Sequence, residues 1–378
     1  MAEQDFRMIA KTMQGLEQVL ATELRGVEAR NVTTSRRAVY FDGDMRTLYR
    51  ANLECRTALR VLKHLFTFEA TSPEDLYRAF MRYDWGPYLR LRDTFAIDSV
   101  VFSEHFSHNH FVSLKAKDAI VDQFRKRYNR RPSIDTDKPT IRIHIFIQDK
   151  KVEVSLDSSG GSLHRRGYRI GQNKAPISEV LAAGMLKLAG YEGKGIYVDP
   201  MCGSGTILIE AAMIALNRPI NVNRYGGFAF ERWRNFNAEI WKMIRTQAFR
   251  QMNEVDPPLI GGDISQRTLG IAEKNVEYAK LGREVELHHS PFQELEVPEG
   301  PGLVVINPPY GERMGTEEEI AQLYAEMGKT LKERYKGYDA WIITSNPHLL
   351  KRMDLWYEQS IPLRNGSLDC QFVHYKIS

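Results

Sequence analysis

The sequence is poor in cysteine. It has three in 378 residues, Cys55, Cys202 and Cys370, odd in number and far apart. Thiols so few and so spaced build neither a disulfide framework nor a cysteine-ligated zinc site, so a reducing cytoplasm is the expected setting. No run of about 18 apolar residues occurs, and the N-terminus, with Glu3, Asp5 and Arg7, lacks the apolar core of a signal peptide. Membrane insertion and secretion are therefore not expected. Internal repeats and low-complexity tracts are also missing. With 43% hydrophobic, 10% aromatic and 26% charged residues, the chain sits near the average for soluble globular proteins. Its length suits two or three domains, each able to bury its own core.

What is present is an uneven charge. The net charge is +4, yet residues 1–170 hold 29 Lys and Arg against 22 Asp and Glu, and the remainder leans acidic. The densest basic run is Lys115, Lys117, Arg125, Lys126, Arg127, Arg130 and Arg131, and another follows at Arg165, Arg166 and Arg169. A basic first half suits a polyanion, nucleic acid before others; the competing reading is a solvated helix face.

The first half alternates short strand and helix patterns. Strands are expected at 7–11, 38–41, 60–68 and 94–102. Helices are expected at 15–24, through Leu48 and Leu53, at 73–80 and at 114–128. A hairpin is expected across Asp149-Lys150, between 141–148 and 151–156. This is an α+β region of two small subdomains, read as residues 1–60 and 61–160. Asp157-Ser-Ser-Gly-Gly-Ser162 is the best linker candidate. From 161 to 378 strand and helix alternate regularly, which argues a doubly wound, mostly parallel α/β sheet closed by a hairpin at Asn365-Gly366. Ligands of such sheets bind beyond the C-terminal ends of the strands, so the turns there carry the chemistry.

Three turns stand out. Val198-Asp199-Pro200-Met201-Cys202-Gly203-Ser204-Gly205-Thr206 follows an apolar strand and opens a helix. Leu208 stands where a dinucleotide loop wants a small residue, and the Gly-Lys-Ser/Thr of a phosphate loop is absent. An acid before Gly-x-Gly fits the S-adenosyl-L-methionine loop of class I methyltransferases. Gly261-Gly262-Asp263-Ile264 ends the next strand with an acid that can accept from both hydroxyls of a ribose. Asn307-Pro308-Pro309-Tyr310-Gly311-Glu312-Arg313 follows a later strand. There the Asn307 side-chain oxygen and the Pro308 carbonyl can receive both hydrogens of one exocyclic amine, and Tyr310 can stack on a base.

These motifs, together with Gly15-Leu16-Glu17, the stretch 52–68, Leu163-His-Arg-Arg-Gly-Tyr-Arg169 and Ala175-Pro176-Ile177, resemble the bacterial THUMP-domain RNA methyltransferases. The likeness is to the branch acting on guanine N2 of large-subunit (23S) ribosomal RNA, often labelled N6-adenine-specific DNA methylases. The resemblance implies a Rossmann-like class I methyltransferase domain behind a ferredoxin-like and THUMP RNA-binding region. It implies S-adenosyl-L-methionine as cofactor and S-adenosylhomocysteine as product. Asp199, Pro200, Cys202, Gly203, Gly205 and Thr206 would line the methionine half of the cofactor, and Lys174 and Ala175 would close over it. Asp263 would hold the ribose, with Ile264 and Phe292 on the adenine. Asn307, Pro308, Pro309 and Tyr310 would position the target base. The acid that such enzymes often use for the adenine amine is missing from His288–Glu294.

Ribosomal RNA or a large-subunit assembly intermediate is the expected partner, with no membrane and no metal; a metal reading of His105, His108 and His110 lacks supporting ligands. Other family members carry a second methyltransferase domain, so one methylation is expected of this chain. Open alternatives are a transfer-RNA guanine-N2 enzyme, an N6-adenine enzyme acting on DNA or RNA, a protein-glutamine enzyme, and a non-catalytic RNA-binding assembly factor. The segment 221–241 reads either as a substrate-facing insertion or as a packed flap.

Overall fold

A computed structural model of the chain describes residues 5–170, 177–222, 224, 226–309 and 316–378. It forms two compact units that are not continuous in sequence. One gathers Met1–Thr12, Leu24–Leu163 and Arg224–Arg245, and the other Met13–Glu23, His164–Asn223 and Thr246–Ser378. No helix among the described residues is long and apolar enough to cross a membrane.

In chain order the first half runs β1 (Phe6–Lys11), α1 (Glu17–Gly26), β2 (Arg30–Ser35), β3 (Ala38–Gly43), α2 (Met45–Glu54) and β4 (Arg60–Glu69). It continues with α3 (Pro73–Arg82), β5 (Thr94–Phe102), α4 (Asn109–Tyr128), β6 (Ser133–Ile134), β7 (Ile141–Gln148) and β8 (Lys151–Asp157). Helix starts follow capping chemistry: Asp44 accepts from the Thr47 amide, and Ser72 accepts from the Asp75 amide ahead of Pro73. All eight strands join one sheet in the order β2-β3-β1-β4-β8-β7-β5-β6. Strand β4 pairs with β1 on one side and β8 on the other, so the expected division at residue 60 falls where this strand begins. Along β7, Ile141, Ile143, Ile145 and Ile147 are buried while the alternate residues Arg142, His144 and Phe146 are half-buried. This is the period-two pattern of a sheet with one apolar face. Phe80 of α3 meets Phe66 and Phe68 on that face.

Two readings are corrected or decided within this unit. The expected linker is core: Asp157, Ser158 and Ser159 are buried. The Asn52 amide donates to Ser158 Oγ at 2.9 Å while Ser159 Oγ donates back to Asn52 Oδ1 at 2.6 Å. Arg60 pairs with Asp157. Within the segment 221–241, Phe230, Phe236 and Trp241 pack around Tyr49 with ring centroids 4.5, 5.9 and 5.8 Å away, as a packed flap would.

The second unit follows as α5 (Glu179–Leu188), β9 (Ile196–Asp199), α6 (Thr206–Ala215), α7 (Ala238–Arg250, divided between the units), β10 (Leu259–Asp263), α8 (Gln266–Ala279) and β11 (Val285–His289). Then come β12 (Gly302–Ile306), α9 (Glu317–Arg334), β13 (Asp339–Thr344), α10 (Pro347–Leu350), β14 (Gln359–Asn365) and β15 (Leu368–Lys376). The sheet order is β11-β10-β9-β12-β13-β15-β14, with β15 antiparallel to both neighbours and the β11–β10, β10–β9, β9–β12 and β12–β13 pairings parallel. This is the expected doubly wound sheet with an antiparallel closing strand. Its order reverses at β9, where the chain goes first to one side and later to the other.

Candidate active site

Val198 of β9 pairs with Ile260 of β10 on one side and Val304 of β12 on the other. The register therefore carries the ends of three strands to the same edge of the sheet, and with them Asp199, Asp263 and Asn307.

The loop after β9 is shaped by two glycines in the left-handed region, Gly203 at φ 57° and Gly205 at φ 82°, where a side chain would strain the backbone. The Cys202 amide donates to the Gly262 carbonyl at 2.9 Å and the Gly203 amide to Asp263 Oδ2 at 3.0 Å. Loop and acid are thus locked together. Helix α6 starts at Thr206 with Gly205 as its cap, leaving amide donors and the positive end of the helix dipole toward the loop. Space beside Gly203 is open: an added Cβ would meet nothing within 4 Å.

Asp199 is buried, and neither carboxylate oxygen has a well-formed hydrogen bond among the described residues. Burial first, and then the nearby Asp263 charge, raises its pKa to about 8, with the Met201 amide easing only part of this. A buried carboxyl without a partner is a strained arrangement unless a cation or donor joins it. Asp263 accepts from Gly203 and, at 2.8 Å, from the Ser265 amide, which leaves lone pairs for two further donors. Burial also pushes the Cys202 thiol up, so it stays protonated and is no nucleophile.

Asn307 follows β12. Its Oδ1 is buried with no partner among the described residues, while Pro308 is buried and Pro309 half-buried. Tyr310, Lys174 and Ala175 lie outside the described residues. Ile264 is 72% exposed beside the loop, as a surface for a planar ring requires. Phe292 is a correction. It is 3% exposed in the core, with its ring stacked on Tyr335 at 5.5 Å, so its face is already covered and cannot receive an adenine. Gln293 donates to Glu326 at 2.7 Å.

In the segment 163–169, Leu163, Arg166 and Tyr168 are buried while Arg165 and Gly167 are exposed. Arg166 is 3% exposed and pairs with Glu210 of α6 at 3.3 Å, joined by the Tyr168 hydroxyl at 3.1 Å. It is withdrawn from the set expected to touch RNA, because its charge is sequestered; Arg165 remains exposed. Arg169 donates to Thr206 Oγ1 at 3.1 Å and pairs with Glu179 at 3.3 Å. Asn275 of α8 was not singled out from the sequence. Its amide donates to the Ser204 carbonyl at 2.9 Å, and its oxygen accepts from the Ile170 amide at 3.0 Å. Asn275→Ala should destabilise this unit by about 1–3 kcal/mol, since it strands the buried Ser204 carbonyl and removes the acceptor of the Ile170 amide. A denaturant titration followed by tryptophan fluorescence checks this; a midpoint unchanged from the parent would refute the bridging role.

On α4 and just beyond it, Arg125, Lys126, Arg127, Arg130 and Arg131 are exposed. Arg125 pairs with Asp122, Arg127 with Asp84, Lys115 with Glu74 and Lys117 with Asp118. Cations in the last turn also complement the helix dipole. Among the described residues, no group of three or more His, Cys, Asp or Glu side chains is placed to hold a metal ion.

Residues 166–374 match the RMKL-like methyltransferase domain, residues 70–157 the THUMP domain and residues 7–62 the RlmL ferredoxin-like domain. A Synechocystis protein named "Putative RNA methyltransferase slr0064" is 36% identical over 97% of this chain and 96% of its own. The "Ribosomal RNA large subunit methyltransferase K/L" of Syntrophotalea carbinolica is 37% identical over 98% of this chain, which spans 54% of that protein. The crystal structure named "SMU.472, a putative methyltransferase complexed with SAH" superposes with a TM-score of 0.90 at 29% identity, covering 100% of this chain and 99% of that one. The chain belongs to the family of RMKL-like methyltransferases, with THUMP and RlmL-type ferredoxin-like segments ahead of the methyltransferase domain.

Proposed function

We propose that the chain methylates the exocyclic N2 amine of a guanine in large-subunit ribosomal RNA, using S-adenosyl-L-methionine. The observation that carries the reading is the convergence of three groups at one sheet edge. These are a buried carboxyl short of partners, an acid locked to the glycine loop, and an amide oxygen with nothing to accept among the described residues.

When bound, the cofactor supplies an electrophilic methyl group on a sulfonium sulfur. The Asp199 carboxylate, whose oxygens have no partner among the described residues, would take the methionine ammonium. The loop backbone would approach the methionine half most closely at Gly203, where no side chain stands in the way. Asp263 would accept from the ribose hydroxyls with the lone pairs that the Gly203 and Ser265 amides leave free, and Ile264 would lie on the adenine. Asn307 Oδ1 and the Pro308 carbonyl accept the two hydrogens of the target amine, aligning its nitrogen for in-line attack as positive charge develops. Tyr310, outside the described residues, would stack on the base. No strong base is needed, because the amine becomes acidic only as it is methylated.

RNA as substrate is supported by the THUMP match and by the basic excess in residues 1–170, and large-subunit RNA by the K/L relatives. The test is transfer from labelled cofactor to ribosomal RNA, transfer RNA and duplex DNA, followed by nucleoside identification. N2-methylguanosine in ribosomal RNA is expected. The same product in transfer RNA would replace the substrate, and N6-methyladenine would replace the base. Cofactor binding with no transfer to naked RNA or pre-ribosomal particles would favour an assembly factor.

A further inference from the structure

Residues 166–170 meet the cofactor loop and its helix at successive points. Arg166 and the Tyr168 hydroxyl reach Glu210, Arg169 reaches Thr206, and the Ile170 amide reaches Asn275, which in turn holds the Ser204 carbonyl. The segment therefore follows α6 backward, from Glu210 through Thr206 to the glycine loop. Of these contacts, the one at Thr206 falls on a residue that lines the methionine half of the cofactor in the reading above.

That half carries an ammonium and a carboxylate on one carbon. With the ammonium at Asp199, the carboxylate needs donors close by. The Cys202, Gly203 and Gly205 amides are already spent on Gly262, Asp263 and Cys202. What the loop still offers lies at its far end, where Thr206 opens α6. The cap there, Gly205, supplies no side-chain bond, which leaves the first helical amides to other acceptors. Thr206 is 4% exposed, and its hydroxyl has one hydrogen and two lone pairs. Arg169 Nη2 donates to Thr206 Oγ1 at 3.1 Å and to the Ile177 carbonyl at 2.9 Å. One lone pair of the hydroxyl is thus taken, and its hydrogen is left to donate elsewhere. The Arg169 charge is itself met by Glu179 at 3.3 Å, so the side chain orients the hydroxyl rather than serving as a free cation.

We propose that Arg169 is a positioning residue for the cofactor carboxylate. By holding Thr206 Oγ1 as an acceptor it commits the hydroxyl hydrogen to that carboxylate, beside the first amides of α6 and the positive end of the helix dipole. Asp199 at one end of the loop and Thr206 at the other then read both charges of the amino-acid end. The site thereby selects an intact cofactor over one that has lost its carboxylate. The inference rests on the cofactor site read above and is independent of which base or RNA receives the methyl group.

The test is calorimetry on the full chain with S-adenosyl-L-methionine and with its decarboxylated form, which keeps the ammonium, the sulfonium and the nucleoside. The parent is expected to bind the intact cofactor about tenfold or more tightly than the decarboxylated one, the worth of a hydrogen bond to a charged group. Arg169→Gln should weaken the intact cofactor by about tenfold and the decarboxylated form by less than about twofold. Thr206→Val should do the same, and the double substitution no more than either alone, because both act on a single bond. Arg169→Lys keeps a charge facing Glu179 and a donor for Thr206, so its loss should be intermediate, about threefold and again confined to the intact cofactor. That variant carries the test if the glutamine one folds poorly. Equal losses for the two ligands, additive losses in the double variant, or a parent that does not discriminate would overturn the proposal. A parent that selects the intact cofactor through Arg169 yet methylates no ribosomal RNA would sink only the functional reading. One that methylates ribosomal RNA while its Arg169 variants treat both ligands alike would sink only this inference.

Discussion

Asn307→Ala is expected to lower kcat by roughly 10²–10³-fold, the usual penalty for deleting one positioned polar partner of a transition state. The cofactor Kd should stay within about twofold, because the residue acts on the amine as charge builds rather than on the ground-state cofactor. Asn307 Oδ1 is buried without a partner among the described residues, so truncation takes no hydrogen bond of that oxygen from them. Single-turnover transfer to ribosomal RNA with saturating labelled cofactor measures the first quantity, and calorimetry the second. A variant that retains a tenth or more of the parent rate would remove Asn307 from the chemistry. A variant that loses cofactor binding equally would move it to the cofactor site.

The second large effect concerns Asp199. Its pKa is raised to about 8 in the fold, by burial first and by Asp263 second, against an ordinary value near 3.8 in the unfolded chain. The folded state therefore binds the proton more tightly. Stability is highest below pH ~4, falls as pH rises toward 8 and levels off above, with of order 4 kcal/mol forfeited by pH 7. Asp199→Asn cannot ionise, so the cofactor-free variant should gain much of that amount and lose this pH dependence. Denaturant midpoints from pH 4 to 9 read both. The same variant should bind S-adenosyl-L-methionine about 10–100-fold more weakly, the worth of a charge-assisted hydrogen bond. At pH 7 the parent should release close to one proton on binding, as the carboxyl ionises against the ammonium, and the variant none. Calorimetry in buffers of different ionisation enthalpy counts those protons, and equal release from both proteins would place the ammonium elsewhere.

The parts of this molecule legible from sequence are those set by local chemistry. Positive-φ glycines at 203 and 205, an acid closing each of two strands and a double proline after a third are turn signals that need no partner to be read. Features set by distant partners were not legible. Asp157–Ser162 has a loop composition, yet its serines fasten to Asn52, more than a hundred residues away. Arg166 looked like a polyanion contact because its partner, Glu210, is the one acid in the otherwise apolar helix α6; that isolated acid was the available clue. Strand β2, reading Arg-Asn-Val-Thr-Thr-Ser, lies at the edge of its sheet and is mostly exposed, so it shows no apolar alternation to detect. Phe292 shows the opposite error: an aromatic beside the expected cofactor pocket serves the core underneath it.

Strand β4 has a consequence for inheritance. The ferredoxin-like match ends at residue 62 and the THUMP match begins at 70, and the residues between belong to a strand bonded on both flanks. A recombination break placed there would leave each product with a naked strand edge, open to pairing with other chains. Lineages that exchanged one segment without the other would carry an aggregation burden. The two should therefore travel through evolution as a single heritable block, however separate they look to a family model.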